Sequence, residues 1–136
     1  MPANPRSILC VDDDPDDHMM VCEVIKEADD SINVIGAHNG EEALEFLKNG
    51  KENGDLPCLV ILDINMPRMD GKQTLVEIKK DAVLRQLPVV MLSTSNSPVD
   101  KLFCDHYGVS LYTKPDNVAG FSPILKNLLS HCSNPA

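Results

Sequence analysis

Several short runs in this chain stop at residues able to do chemistry: ILCV runs into Asp12 and Asp13, LVIL into Asp63, VVML into Ser93, and LYT into Lys114. A single Asp ending a strand is most often a turn former or helix cap. Agreement among separate runs points instead to one shared edge, because ligands of an open parallel sheet bind just beyond the carboxyl ends of its strands. Three carboxylates gathered there would repel and raise one another's pKa values unless a cation neutralised them. An all-oxygen donor set selects a hard ion, Mg²⁺ with Mn²⁺ as a substitute, over soft-ligand metals. Such an ion would draw phosphate oxygens towards a carboxylate nucleophile, and Lys114 would add fixed positive charge. Aspartate can accept a phosphoryl group, and phosphoryl transfer depends mainly on positioning and charge stabilisation.

The elements that must position these residues read as alternating strands and helices. Ile8 to Val11 is the first apolar run. Asp14-Pro15 then supplies an N-cap and a proline at the first helical position, with Asp16 and Asp17 where the helix dipole favours negative charge. The helix runs to about Ala28, with Val21, Val24, Ile25 and Ala28 inward. Ile32 to Ala37 is a second strand. Asn39 and Glu42 stand at capping-box spacing and open a helix to about Lys48. Residues 49–57, polar and containing Gly and Pro, read as a loop. Cys58 to Leu62 is the strongest strand, followed by a turn from Asn65 to Gly71 and a helix from about Lys72 to Asp81 with Leu75, Val76 and Ile78 buried. Val89 to Leu92 is the fourth strand. Ser97-Pro98 with Asp100 starts a helix by the same cap logic, and Leu111 to Thr113 makes a short fifth strand. A last helix holds Phe121, Ile124, Leu125, Leu128 and Leu129, with Pro123 near its start.

Composition excludes several classes. The 136 residues carry 12 basic against 21 acidic side chains, a formal charge of -9, which suits one compact acidic domain and argues against a nucleic-acid surface. A chain of this size can bury about two-thirds of its unfolded surface, enough for a real core. Only 4% of residues are aromatic and none is Trp, so the core rests on Leu, Val, Ile and Met, as in strands buried on both faces. The five cysteines, Cys10, Cys22, Cys58, Cys104 and Cys132, are widely spaced and suggest reduced thiols rather than a disulfide framework or a zinc site. No stretch approaches the ~20 apolar residues of a membrane span, and no signal peptide opens the chain. A cytoplasmic protein is therefore expected.

The segments ILCVDDDP, LVILDINMPRMDGKQTL, LPVVMLSTS and LYTKP, in this order, resemble the signatures of bacterial response-regulator receiver domains. DINMPRMDG is the most specific of them. The resemblance spans nearly the whole chain and implies one receiver domain over residues 1–136, with a core of about 6–132 and no output domain. The implied fold is flavodoxin-like α/β: a doubly wound, five-stranded parallel sheet in order 2-1-3-4-5 with five helices. Carried over by residue, Asp63 would accept a phosphoryl group from a histidine kinase or phosphotransfer protein. Asp12, Asp13 and Asp63 would hold Mg²⁺ with the Asn65 backbone carbonyl. Ser93 would hydrogen-bond the phosphoryl oxygens and Lys114 would pair with them. A cis peptide before Pro115 is also implied. Pro67 would rigidify the loop after the acceptor, and Gly71 would permit a backbone angle that other residues resist.

One position departs from the pattern. Family members often carry Tyr or Phe three residues before the lysine, where this chain has Leu111, with Tyr112 next and on the opposite strand face. Signal output would leave through the fourth helix, fifth strand and fifth helix, where Phe103, Tyr107 and Tyr112 read as partly buried. The same face could serve a homodimer, and a downstream protein is implied. The turn TSNSPVDK and the long loop before Cys58 look similar to small regulators that pair with phytochrome-type kinases. Such a protein is no classical enzyme, since it promotes only its own phosphorylation and dephosphorylation. The alternative is an adaptor with the receiver fold that works unphosphorylated. An EF-hand fails because its Gly position holds Arg68 and its twelfth holds Thr74, and a dehalogenase-type phosphatase would need an acid where Asn65 stands. His18, His38, His106 and His131 are scattered and read as solvated, and Met19 and Met20 as filler or surface. Within the acidic run, Asp14, Asp16 and Asp17 read as helix-capping and solvating residues.

Overall fold

A computed structural model describes residues 6–66, 68–94, 97–114 and 118–129. Its elements are β1 (Ser7–Val11), α1 (Pro15–Ala28), β2 (Asn33–Ala37), α2 (Gly40–Asn53), β3 (Leu59–Asp63), α3 (Gly71–Lys80), β4 (Val89–Ser93), α4 (Pro98–Tyr107), β5 (Ser110–Thr113) and α5 (Val118–Leu129), with a single 3-10 turn at Leu84–Gln86. The strands form one parallel sheet in the order β2-β1-β3-β4-β5, the expected doubly wound arrangement.

Every residue of β1, β3 and β4 is buried, as strands covered on both faces require. Alternation divides their side chains between two cores. Ile8, Cys10, Leu59, Ile61, Val90 and Leu92 meet Val21, Val24 and Ile25 of α1 and Phe121, Leu125 and Leu128 of α5. Leu9, Val11, Val60, Leu62, Val89 and Met91 meet Ala43, Leu44 and Leu47 of α2, Leu75 and Ile78 of α3 and Cys104 of α4. The helices start where local chemistry permits. Asp14 caps α1 by accepting from the Asp16 and Asp17 amides, and Pro15 follows at the first helical position. Asp70 and Gln73 form a complete capping box on α3.

The structure departs from the sequence pattern in several places. Residues 49–53 continue α2 instead of forming a loop, because Gly50 lets the chain fold back onto the helix and Gly54, at φ 69°, closes it in the left-handed region. A Cβ at Gly50 would stand 2.6 Å from the Asp55 carbonyl oxygen, so this glycine serves close packing within a helix. Ala28 is exposed in the last turn of α1. On α3 it is Thr74 that is fully buried while Val76 is half-exposed, since the hydroxyl of Thr74 donates back to the Asp70 carbonyl oxygen at 2.7 Å and needs no other partner. Cys10, Cys22 and Cys104 are free thiols, but Cys58 is disulfide-bonded, which corrects the expectation of uniformly reduced cysteines; sequence spacing does not register such spatial pairing. His18 is half-buried, with its ring against Gly36 and 3.5 Å from the Cys22 sulfur, so it is not simply solvated.

Candidate functional site

The strand period of two decides which side chains share the site. Asp12 continues the series of Ile8 and Cys10, Asp63 that of Leu59 and Ile61, and Lys114 that of Tyr112, so all three extend from the sheet face covered by α1 and α5. The register confirms their common level: Val11 pairs with Leu62, Asp63 with Leu92, and Ser93 with Thr113. Ser93 belongs to the opposite parity, is fully buried, and accepts through its carbonyl oxygen from the Lys114 amide at 2.8 Å. The expected residues therefore reach the same end of the sheet.

There the carboxylates of Asp12, Asp13 and Asp63 converge, each offering one oxygen within 4.8 Å of the others. Asp12 and Asp63 are 5% and 3% exposed, while Asp13 stands at the open rim. Backbone amides fix the two buried groups: Asp14 donates to Asp12 Oδ1 at 2.9 Å and Asn65 to Asp63 Oδ1 at 3.2 Å. Lys114 Nζ lies 2.9 Å from Asp12 Oδ2 and 3.2 Å from Asp63 Oδ2. Burial pushes the Asp63 carboxyl up to about 6, against the opposing pull of the Lys114 ammonium and with the help of the Asp12 charge. Burial also works against the Lys114 ammonium, but hydrogen bonds to Asp17 and Asp12 outweigh it and hold the amine protonated above its ordinary range. Burial and the Asp12 charge push the neighbouring Cys10 thiol far up, so it stays neutral beneath the site.

The same ammonium is 2.8 Å from Asp17 Oδ2, a contact that the acidic run does not reveal. Asp17, expected to cap and solvate, is on the first turn of α1, the helix that covers this face. Its spacing from Asp12 is visible in sequence, but the reach to Lys114 depends on how α1 and the end of β5 meet over the core they share with α5. Three carboxylates thus surround one ammonium, and Asp13 at the rim adds a fourth negative charge to the group, which leaves an excess of negative charge. This donor set is hard, oxygen-only and open at Asp13, so it fits a divalent cation of the Mg²⁺ or Mn²⁺ kind.

The turn after Asp63 is built differently from expectation. Gly71 has no left-handed backbone angle; a Cβ there would sit 2.2 Å from the Asp63 carbonyl oxygen and 2.8 Å from Ile64 Cα. Glycine is needed for this close approach of α3 to the end of β3, which the Gly71 amide reinforces by donating to the Ile64 carbonyl oxygen at 3.0 Å. The left-handed residue of the turn is Arg68, at φ 65°. Pro67 and the bond before Pro115, expected to be stiff and cis respectively, lie outside the described residues.

Beyond the site, Leu111 packs with the α2, α3 and α4 core and Tyr112 with the opposite one, as strand alternation requires. The Tyr112 hydroxyl accepts from the Asn127 side chain at 3.0 Å. Phe103 and Tyr107 are half-buried with ring centroids 5.0 Å apart. Val99 and Leu102 of α4 stand exposed beside a groove lined by Pro98, Lys101, Leu111 and Thr113. No helix among the described residues is long and apolar enough to cross a membrane.

Comparison with known proteins gives a consistent result. The family described as response regulator receiver domain matches residues 8–117. Response regulator Rcp1 of Synechocystis sp. is 33% identical over 129 residues, covering 93% of this chain and 88% of that protein. Response regulator Rre1 of the same organism is 34% identical over 129 residues, covering 94% of this chain but 53% of its own length. Among solved structures, the phosphorylated cyanobacterial phytochrome response regulator RcpA has a TM-score of 0.83 at 30% identity, covering 92% of this chain and 91% of that one. A Mn(2+)-bound form of Rcp1 has a TM-score of 0.83 at 32% identity, covering 97% of this chain and all of the other.

Proposed function

The chain belongs to the response regulator receiver family of two-component signalling, and from that premise we propose that it is a phosphoacceptor in which Asp63 takes a phosphoryl group from a histidine kinase. The observation that carries the proposal is the placement of the Asp63 carboxylate: buried, held by the Asn65 amide, and flanked by both Lys114 and the acidic cluster. Asp12, Asp13 and Asp63, with the Asn65 backbone carbonyl, would hold Mg²⁺, which when bound supplies the positive charge that lets phosphate oxygens approach carboxylates.

An Asp63 oxygen then attacks phosphorus as the P–N bond of the donor phosphohistidine breaks, and the freed imidazole keeps the electron pair. The Asn65 amide orients the attacking carboxylate. Lys114 stays charged and pairs with the oxygens of the transferred group, while the Ser93 hydroxyl hydrogen-bonds to them from the next strand. No proton has to leave Asp63 at neutral pH, since its carboxyl ionises near 6.

The likeness to a cyanobacterial phytochrome response regulator supports a partner kinase of the phytochrome type, and the protein itself is read as cytoplasmic. Output would pass through α4, β5 and α5 to a downstream protein, or into a homodimer through the same face, with Leu111 repacking in place of an aromatic ring. Incubation of the full chain with acetyl phosphate and Mg²⁺, read by intact mass, tests the proposal. One phosphoryl adduct is expected on the wild type, none after Asp63→Asn and none in EDTA. An unlabelled wild type that also takes no phosphoryl group from candidate kinases would make the protein a phosphorylation-independent adaptor, and full labelling of Asp63→Asn would overturn the acceptor assignment.

A further inference from the structure

An ammonium has three N–H donors, and those of Lys114 face three carboxylates, with Asp17 Oδ2 at 2.8 Å, Asp12 Oδ2 at 2.9 Å and Asp63 Oδ2 at 3.2 Å. Two of these partners belong to the convergent acidic cluster and Asp17 does not. Lys114 is therefore itself a counter-cation of Asp12 and Asp63, and it competes with any divalent ion for the same two groups. Asp17 is its nearest partner and the one that lies on a helix instead of a strand exit. We propose that Asp17 is a positioning residue that draws the Lys114 ammonium aside from Asp12 and Asp63, and so sets how readily a divalent cation enters the cluster.

The inference rests on the phosphoacceptor reading above and extends it to a residue with no assigned part in it. Two features make Asp17 suited to this task. Its backbone is fixed, because its amide donates to the Asp14 cap and it stands in the first turn of a helix packed on the same core as β5. Its side chain keeps about a quarter of its surface exposed, against 7% for Lys114, so the carboxylate meets the ammonium from outside the cluster. When a cation occupies Asp12 and Asp63, Asp17 is the carboxylate left to hold the ammonium within the pocket, where it meets incoming phosphoryl oxygens. Without Asp17, the ammonium is shared between Asp12 and Asp63 alone in the metal-free protein and swings free once the cation has claimed them.

Two measurements on the full chain test this, neither of which reads phosphorylation. In Mg²⁺ titration calorimetry, Asp17→Asn is expected to weaken binding about tenfold, but at most about threefold in a Lys114→Gln background; the ratio is the coupling between the two residues. Asp16→Asn removes the same charge from the same turn at an exposed side chain and is expected to change affinity by no more than about twofold. The ammonium proton–nitrogen resonance of Lys114 is expected to stay protected from water in the Mg²⁺-loaded wild type and to lose that protection in Asp17→Asn. Equal effects of Asp17→Asn in both backgrounds, or an unchanged resonance, would overturn the inference alone. A wild type that binds no Mg²⁺ would overturn the metal-dependent reading beneath it as well.

Discussion

Replacing Asp63 with Asn will make the metal-free protein more stable at neutral pH, although the residue is the proposed centre of its function. The folded chain holds the Asp63 proton up to about 6, whereas an unfolded chain releases it near ~3.9. The native state therefore binds more protons between these values, so this contribution to stability is present below the lower one and is lost as pH rises through the higher. At about 1.4 kcal/mol per pH step, the gap corresponds to ~3 kcal/mol given up once the carboxylate is ionised. Asn matches Asp in size, can still accept from the Asn65 amide, and leaves Lys114 its Asp12 and Asp17 partners. The amide group also places donors near Lys114, so the expected gain at pH 7.5 is about 1 to 3 kcal/mol, shrinking towards zero near pH 4. Urea unfolding in EDTA, followed by far-ultraviolet circular dichroism because the chain has no Trp, measures this directly. A variant no more stable than wild type at pH 7.5, or a difference that does not narrow as pH falls, would refute the electrostatic account.

Two further outcomes concern the turn beyond the acceptor. Gly71→Ala would force a Cβ to within 2.2 Å of the Asp63 carbonyl oxygen, a backbone atom that cannot move without displacing the end of β3. A loss of about 3 kcal/mol or more is expected, and a melting temperature within a degree or two of wild type would contradict it. Arg68→Gly relieves a left-handed residue at φ 65° on the exposed side of the same turn; a stabilisation of about 0.5 kcal/mol is expected after the entropic penalty of glycine, and a loss of stability on urea unfolding would be inconsistent with it.

The alternation of apolar runs and capped helices carried the architecture, because strands buried on both faces and prolines after N-caps leave strong local marks. The strand exits likewise announced Asp12, Asp63, Ser93 and Lys114, whose positions follow from the ends of those runs. The helical stretch through Gly50 escaped notice because its glycine and asparagine read as loop formers, whereas Gly54 in the left-handed region and the Asp55 amide returning to the Gly50 carbonyl oxygen close it as a helix end. Gly71 was legible as special but for a different reason, since sequence does not distinguish a tight backbone contact from an unusual torsion. Asp17 was hidden among its acidic neighbours: its partner lies 97 residues away, and only the packing of α1 on the core that β5 and α5 also line brings them together.

The order in which these strands leave the ribosome has its own consequence. The interior strand β1 and the acids that follow it are synthesised first, the proposed acceptor follows with β3, and the lysine that balances them arrives only after β5. Until that edge strand docks, a nascent chain carries the repulsive half of the pocket without its counter-ion. Incomplete chains are thus deprived of both the charge balance and the chemistry, and competence to receive a signal comes together with completion of the sheet.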